Sequence, residues 1–313
     1  MKNASFLFLC CILVTIVLPI AVNLRQKQSE NEHISHIDKI KVLNTQENIV
    51  IELPLEEYVW RVVANEIPSS FHKEAIKAMT IAVRTYVLYK IYSNSHKLNA
   101  DMCTDFNHCT AFLLPGQEKK RFGVDYKVAC NKLISLTSST ENQIITYNNE
   151  PILAVFHAIS SGITEKSSDV WQTQLPYLIN VDSSIDKKAD GFLSNNVFKE
   201  SELKMIFNTD SAPEFEVVGQ TSAGGIKKIN VSGEIYSGNE IRKLLNLRSS
   251  NFTIKRENDT YTFYVKGYGH GVGMSQEGAN LLANEGYSYR EILQKYYPGT
   301  KINNFSIPLN ATK

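Results

Sequence analysis

"PLEEYVWRVVANEIPSSFHKEAIKAMTIAVRTYVLY", residues 54–89, carries the pattern on which the fold class turns. Leu55, Tyr58, Val59, Val62 and Val63 fall at i, i+3, i+4, i+7 and i+8, the spacing of an amphipathic helix. That helix should stop near Glu66, because Ile67 precedes Pro68 and is pushed out of the helical region. Ser69 or Ser70 is expected to cap a second helix whose stripe is Ile76, Met79, Val83 and Val87, with Arg84 on its flank. Upstream, IKVLN and NIVIEL read as two strands joined by polar TQE, a hairpin. Downstream, residues 143–157 read as a second hairpin turning at Asn148 and Asn149, followed by the Ser/Thr/Gly loop ISSGITEKSSDVW. Residues 213–264 suggest a strand, a turn at Gly224 and Gly225, a strand, a short helix around Ile241 to Leu245, and further strand. Strands and helices mixed without regular alternation predict an α+β fold instead of a doubly wound α/β sheet.

The 313 residues carry a formal net charge of +1 with 43% hydrophobic and 21% charged residues, ordinary globular values that give no basic field for nucleic acid. Phe6 to Val22 is an uninterrupted apolar run, long enough for a membrane-spanning helix. A cleaved signal peptide would have a shorter core and a small-residue cleavage site, which is not evident after Pro19, so an uncleaved anchor is preferred. The expected organisation is an anchor at 1–23, a polar stalk at 24–37 and an extracytoplasmic domain at 38–313, long enough for one large domain or two lobes. Cys10 and Cys11 fall in the anchor as small hydrophobes, and Cys130 reads as a buried core residue.

"KGYGHGVGMSQEGA", residues 266–279, has four alternating glycines, which fit neither a P-loop nor a G-x-G-x-x-G fingerprint. Alternation is a strand period: one face is bare backbone and the other presents Tyr268, His270 and Val272. Close packing and ligand contact both account for such a face. Ser275 is expected to cap the following helix.

Glu66 is the first candidate for chemistry. The negative end of a helix dipole and apolar neighbours both favour the protonated carboxyl, as a general acid near neutral pH requires, whereas a solvated glutamate at a helix end would be ordinary. His96, Cys103, His108 and Cys109 form a thiol and imidazole cluster suited to tetrahedral zinc, with a Cys103–Cys109 disulfide as the competing reading. His108 is the weakest of these candidate ligands because it is adjacent to Cys109. The pairs His270 with Ser275, and His157 with Ser160 or Ser161, lack the nucleophile-elbow context of a serine hydrolase.

Three segments in register, residues 55–86, FHAISSGITEKSSDVW with LPYLINVDSSID, and GYGHGVGMSQEGA, resemble the stage II sporulation protein D family, related to the LytB amidase-enhancer domain. The resemblance covers residues 38 to 310 and implies a membrane-anchored lytic transglycosylase with an α+β ectodomain, two-lobed around a cleft. It implies Glu66 as catalytic acid, Arg84 as a supporting residue, and a zinc site, structural in role, at His96, Cys103 and Cys109. Ser160, Ser161, Thr164, Trp171, Tyr268 and His270 are the further candidates for sugar positioning. The implied partners are peptidoglycan glycan strands and stage II sporulation proteins P and M, at the sporulation septum. The Ser-Ser-Gly at 160–162 departs from the Ser-Gly-Gly common among relatives.

Overall fold

The computed structural model describes residues 37–93, 100–105, 108–171 and 173–305. The expected anchor and the stalk up to residue 36 lie outside the described residues, within which no helix is long and apolar enough to cross a membrane. Helices and several small sheets are intermixed, as the α+β reading expects.

β1 (Lys39–Asn44) and β2 (Ile49–Pro54) form the first hairpin, and β1 pairs in parallel with β3 (Met102–Cys103). Ile40 and Val42, alternate residues of β1, face the core, as the two-residue period of a strand dictates. α1 (Leu55–Glu66) follows β2 directly, with Glu56 and Glu57 at the positive end of its dipole. It ends where the sequence predicts: Ile67 is extended, with φ −129° and ψ 155°, ahead of Pro68. α2 (Lys73–Tyr92) is capped by His72 and not by a serine; its Nδ1 accepts from the Glu74 amide at 3.3 Å. Ser69 and Ser70 are instead taken up by a turn that the Phe71 amide closes onto the Pro68 carbonyl.

α2 is the axis of the larger core. Its expected apolar stripe is present, but Ala75, Ala78, Thr80, Ala82, Arg84 and Thr85 are buried too, so nearly the whole circumference is covered. Small residues let the neighbours approach closely, and Thr80 and Thr85 return their hydroxyl protons to the Ile76 and Ile81 carbonyls. Around α2 pack α1, α3 (Tyr126–Ser138), β4 (Gln143–Tyr147), and the C-terminal helices α5 (Gln276–Asn284) and α6 (Tyr289–Tyr296). β4 and β5 (Glu150–Pro151) form the second hairpin, with Asn148 and Asn149 at φ 52° and 67° in its turn. β14 (Lys301–Asn304) closes this sheet.

A second hydrophobic core lies between Leu203 and Val265. It joins the sheet of β8 (Phe215–Gln220), β9 (Ile226–Val231) and β10 (Glu234–Ser237) to that of β7 (Leu193–Lys199), β11 (Phe252–Glu257) and β12 (Thr260–Lys266). α4 (Gly238–Leu244) covers β9. Phe263 meets Phe198 and Phe215 edge-on at 5.6 Å, the arrangement ring quadrupoles favour. The chain enters this unit at Leu193 and leaves at Lys266, which are register partners on β7 and β12.

The glycine stretch that follows corrects one expectation. It is not a regular strand: Gly267, Gly269, Gly271 and Gly273 all have positive φ, between 74° and 113°. Isolated bridges tie Tyr268 to Ile159 and Val272 to Glu165 before β13 (Met274–Ser275) pairs in parallel with β6 (Phe156–His157). The bare face packs on residues 155–165. A Cβ at Gly269 would lie 2.8 Å from the His157 Cβ, and one at Gly273 would strike the Val155 carbonyl oxygen.

Candidate active site

Glu66 ends α1 half-buried, and both its oxygens are held. Oε1 accepts from the Ala111 amide at 3.0 Å, and Oε2 accepts from the Gln276 side-chain amide at 3.2 Å. Burial pushes its pKa up from the ordinary carboxylate value, opposed by these two hydrogen bonds. Gln276, the first residue of α5, is buried and 210 positions away in sequence. It sits inside the quoted glycine-rich stretch, yet sequence reasoning gave it no role; being next to the helix cap was the signal to follow.

The aim of Gln276 is set by its neighbour. The Ser275 hydroxyl accepts from the Gly278 amide at 3.1 Å, the expected cap, and donates to Asp186 Oδ1 at 2.8 Å. Asp186 is fully buried, and burial raises its pKa, although the Ser160 amide and the Ser183 hydroxyl both donate to Oδ2. All three sequence motifs therefore meet: the Ser160 loop fixes Asp186, Asp186 fixes the helix cap, and the capped helix presents Gln276 to Glu66.

Arg84 is elsewhere. Its guanidinium, 1% exposed, makes a fork with Glu56, Nε to Oε1 and Nη2 to Oε2, both at 2.6 Å. Nη1 also donates to the Gln143 carbonyl and Nη2 to the Thr137 carbonyl. Glu56 lies ten positions before Glu66 on α1, about 15 Å away at 1.5 Å per residue. Arg84 thus ties α1, α2, α3 and β4 together and does not reach Glu66. Ser160 and Thr164 are likewise committed: the Ser160 hydroxyl accepts from Gly162, and the Thr164 hydroxyl bridges Ile179 and Val181. Ser161 is half-buried and donates only a 3.5 Å bond to the Ile163 carbonyl.

Trp171 and His270 do come together, and Tyr268, two positions before His270, is exposed. The Trp171 and His270 rings are 5.1 Å apart, and His270 is 5.8 Å from His157. His270 Nδ1 accepts from the Val272 amide at 3.1 Å, and burial holds its pKa down at about 3, so it is neutral. His157 Nδ1 donates to the Val272 carbonyl, and burial lowers its pKa to about 4. Among the described residues no serine hydroxyl is hydrogen-bonded to either imidazole; the Ser275 hydroxyl is committed to Asp186 instead. Glu165, also unforeseen, is buried beside Gly271; its Oε1 accepts from the Thr221 hydroxyl at 2.8 Å, and burial lifts its pKa to about 7. With the Asp169–Lys227 ion pair at 3.0 Å, it joins the loop of the larger core to the smaller one.

Cys103, His108 and Cys109 converge, with ligand atoms within 4.8 Å of one another. The adjacent His108 and Cys109 both reach the cluster, His108 Nδ1 lying 3.3 Å from the Cys103 sulfur and 3.5 Å from that of Cys109. The cysteines are free thiols, and burial pushes Cys109 up to about 12. His96 lies outside the described residues. The cluster is close to the acid, since Ala111, two positions beyond Cys109, donates to Glu66.

Residues 43–147 match the family model described as stage II sporulation protein, which places the chain among sporulation proteins. It is 35% identical over 276 residues to stage II sporulation protein D of Bacillus subtilis, spanning 87% of this chain and 80% of that one. The counterpart from Bacillus amyloliquefaciens is 36% identical over 270 residues, 84% of this chain and 78% of the other. The chain belongs to the stage II sporulation protein D family. It is also similar to an amidase enhancer of Bacillus subtilis, 28% identical over 301 residues, covering 78% of this chain and 40% of that protein.

Proposed function

We propose that this protein is a lytic transglycosylase that cleaves the bond between N-acetylmuramic acid and N-acetylglucosamine in peptide-stripped peptidoglycan strands. The observation that carries the reading is Glu66, a half-buried carboxyl held at both oxygens whose burial favours the protonated form. A glycosidase that uses water needs two carboxyl groups flanking the bond. A transglycosylase works with one. Glu66 gives its proton to the glycosidic oxygen as the bond to the muramic C1 breaks. As carboxylate it then takes the proton of the muramic C6 hydroxyl, whose oxygen closes onto C1 as a 1,6-anhydro ring. Proton and bonds balance, and no water is consumed. Trp171, Tyr268 and His270 offer the surface on which the sugars would lie.

Two thiols and an imidazole fit tetrahedral zinc, with His96 as the fourth candidate ligand. Such an ion would fix the chain that presents the Ala111 amide, a structural role. The setting is the sporulation septum, with the domain 38–313 held outside the membrane by residues 1–23 and acting alongside stage II sporulation proteins P and M. The similarity to an amidase enhancer favours one second reading, a non-catalytic glycan-binding module. Incubating the full chain with peptide-stripped strands distinguishes the two. The transglycosylase yields 1,6-anhydromuramic termini that disappear in Glu66→Gln; no such termini from the wild type, or as many from Glu66→Gln, would refute it.

A further inference from the structure

Two arginines of the smaller core flank Tyr268 with no acidic partner. Arg242, near the end of α4, is half-buried, and among the described residues its side chain has neither a carboxylate nor a hydrogen-bond acceptor. It lies within electrostatic reach of both Tyr268 and His270. The Arg248 guanidinium stands 5.3 Å above the Tyr268 ring and gives a single 3.3 Å hydrogen bond to the Gly191 carbonyl. The Gly269 amide donates to the Arg248 carbonyl, which fixes the glycine stretch against this side. A partly desolvated cation without a counter-charge is costly, and burial lowers the Arg242 pKa accordingly. A bound anion lowers that cost, and Arg248, exposed on the Tyr268 ring, offers a second guanidinium to it. Aromatic side chains lie nearby: Tyr268, under Arg248, is 46% exposed, and Trp171, 39% exposed, is 5.1 Å from neutral His270. Aromatic faces suit pyranose rings, and guanidinium forks suit carboxylates.

We propose that Trp171, His270, Tyr268, Arg242 and Arg248 form a binding site for a saccharide bearing a free carboxylate, the arginines taking the carboxylate and the rings the sugar faces. The proposal rests on the glycan-strand reading above, and it names the group recognised: the lactyl carboxylate of a muramic acid residue. In a strand that still carries stem peptides this group is an amide, neutral and bulkier. The arginines would thus select stripped strands by charge.

The test is binding without turnover, using the full chain carrying Glu66→Gln. Calorimetry compares a muramic acid-containing tetrasaccharide having free lactyl carboxylates with the same sugar capped as methylamides. The free acid should bind about tenfold tighter, as one charge-assisted contact predicts. Arg242→Gln and Arg248→Gln should each erode that preference, and Arg242→Lys should keep part of it, with melting temperatures close to the parent's. Equal affinity for acid and amide in the parent, or an undiminished preference in both glutamine variants, overturns the proposal. So does inorganic phosphate displacing the acid sugar at equal concentration, which would mark a general anion site. If the wild type fails to make anhydro termini while the preference persists, the transglycosylase reading falls and this inference stands.

Discussion

Replacing Gln276 by leucine, nearly equal in size, tests whether the amide holds Glu66 in its working state. The Gln276 Nε2 to Glu66 Oε2 bond is 3.2 Å and partly shielded. A hydrogen bond between neutral groups contributes roughly 0.5–1.5 kcal/mol, and one to a charged group roughly 1.5–3 kcal/mol. The variant should therefore lose about 1 kcal/mol more stability where Glu66 is ionised than where it is protonated. The sign follows from linkage. Burial raises the folded-state pKa of Glu66, so its contribution is fully present below the unfolded carboxylate range and is lost as pH rises through the folded value. Removing Gln276 raises that folded value further and deepens the loss. Urea unfolding near pH 4 and near pH 8, followed by fluorescence of buried Trp60 on the same helix, measures the difference. If Glu66 is the acid of a transglycosylase, the alkaline limb of the cleavage profile should also move to higher pH. An equal cost at both pH values would show that Gln276 only fills space and would refute the reasoning.

Arg84→Met should destabilise by about 3–5 kcal/mol, because it strands Glu56 and two carbonyls, while Arg84→Lys should recover part of this; chemical denaturation checks it. Glu165 has a folded-state pKa of about 7 against an ordinary 4.5, so its stability contribution is full below the ordinary value and falls by about 3 kcal/mol as pH rises through 7. Glu165→Gln should flatten that part of the stability profile measured between pH 4 and 8. Cys103→Ser should lose bound zinc relative to wild type by elemental analysis, and equal metal content would exclude the cluster as its site.

The sequence made Glu66 legible because a helical period stops in front of an X-Pro pair, a local rule that the fold leaves undisturbed. The Asn148–Asn149 turn and the Ser275 cap were legible for the same reason. The partners of those residues were not. Glu56 and Arg84 are 28 positions apart, Glu66 and Gln276 are 210, and no periodicity encodes which polar groups meet across a core. Arg84 looked like a supporting residue from its motif, whereas its flank position on a fully surrounded helix is what commits it to Glu56. Alternating glycines announced a bare face, but strand spacing cannot distinguish extended backbone from the repeated positive φ seen here. His72 took over the capping role because the preceding turn had already used the two serines.

The register pairing of Leu193 with Lys266 also bears on the order of folding. The intervening stretch interrupts the larger core between the Ser160 loop and the glycine stretch that must pack on it. While that stretch is unfolded, bringing those two segments together means closing a long flexible loop, whose entropy cost grows as about (3/2)RT ln n. Once the smaller unit has formed, its two ends emerge side by side and most of that cost has been met. The smaller unit is therefore expected to form early, and destabilising it should slow the assembly of the Glu66 and Gln276 pair, whose residues both lie outside it in sequence.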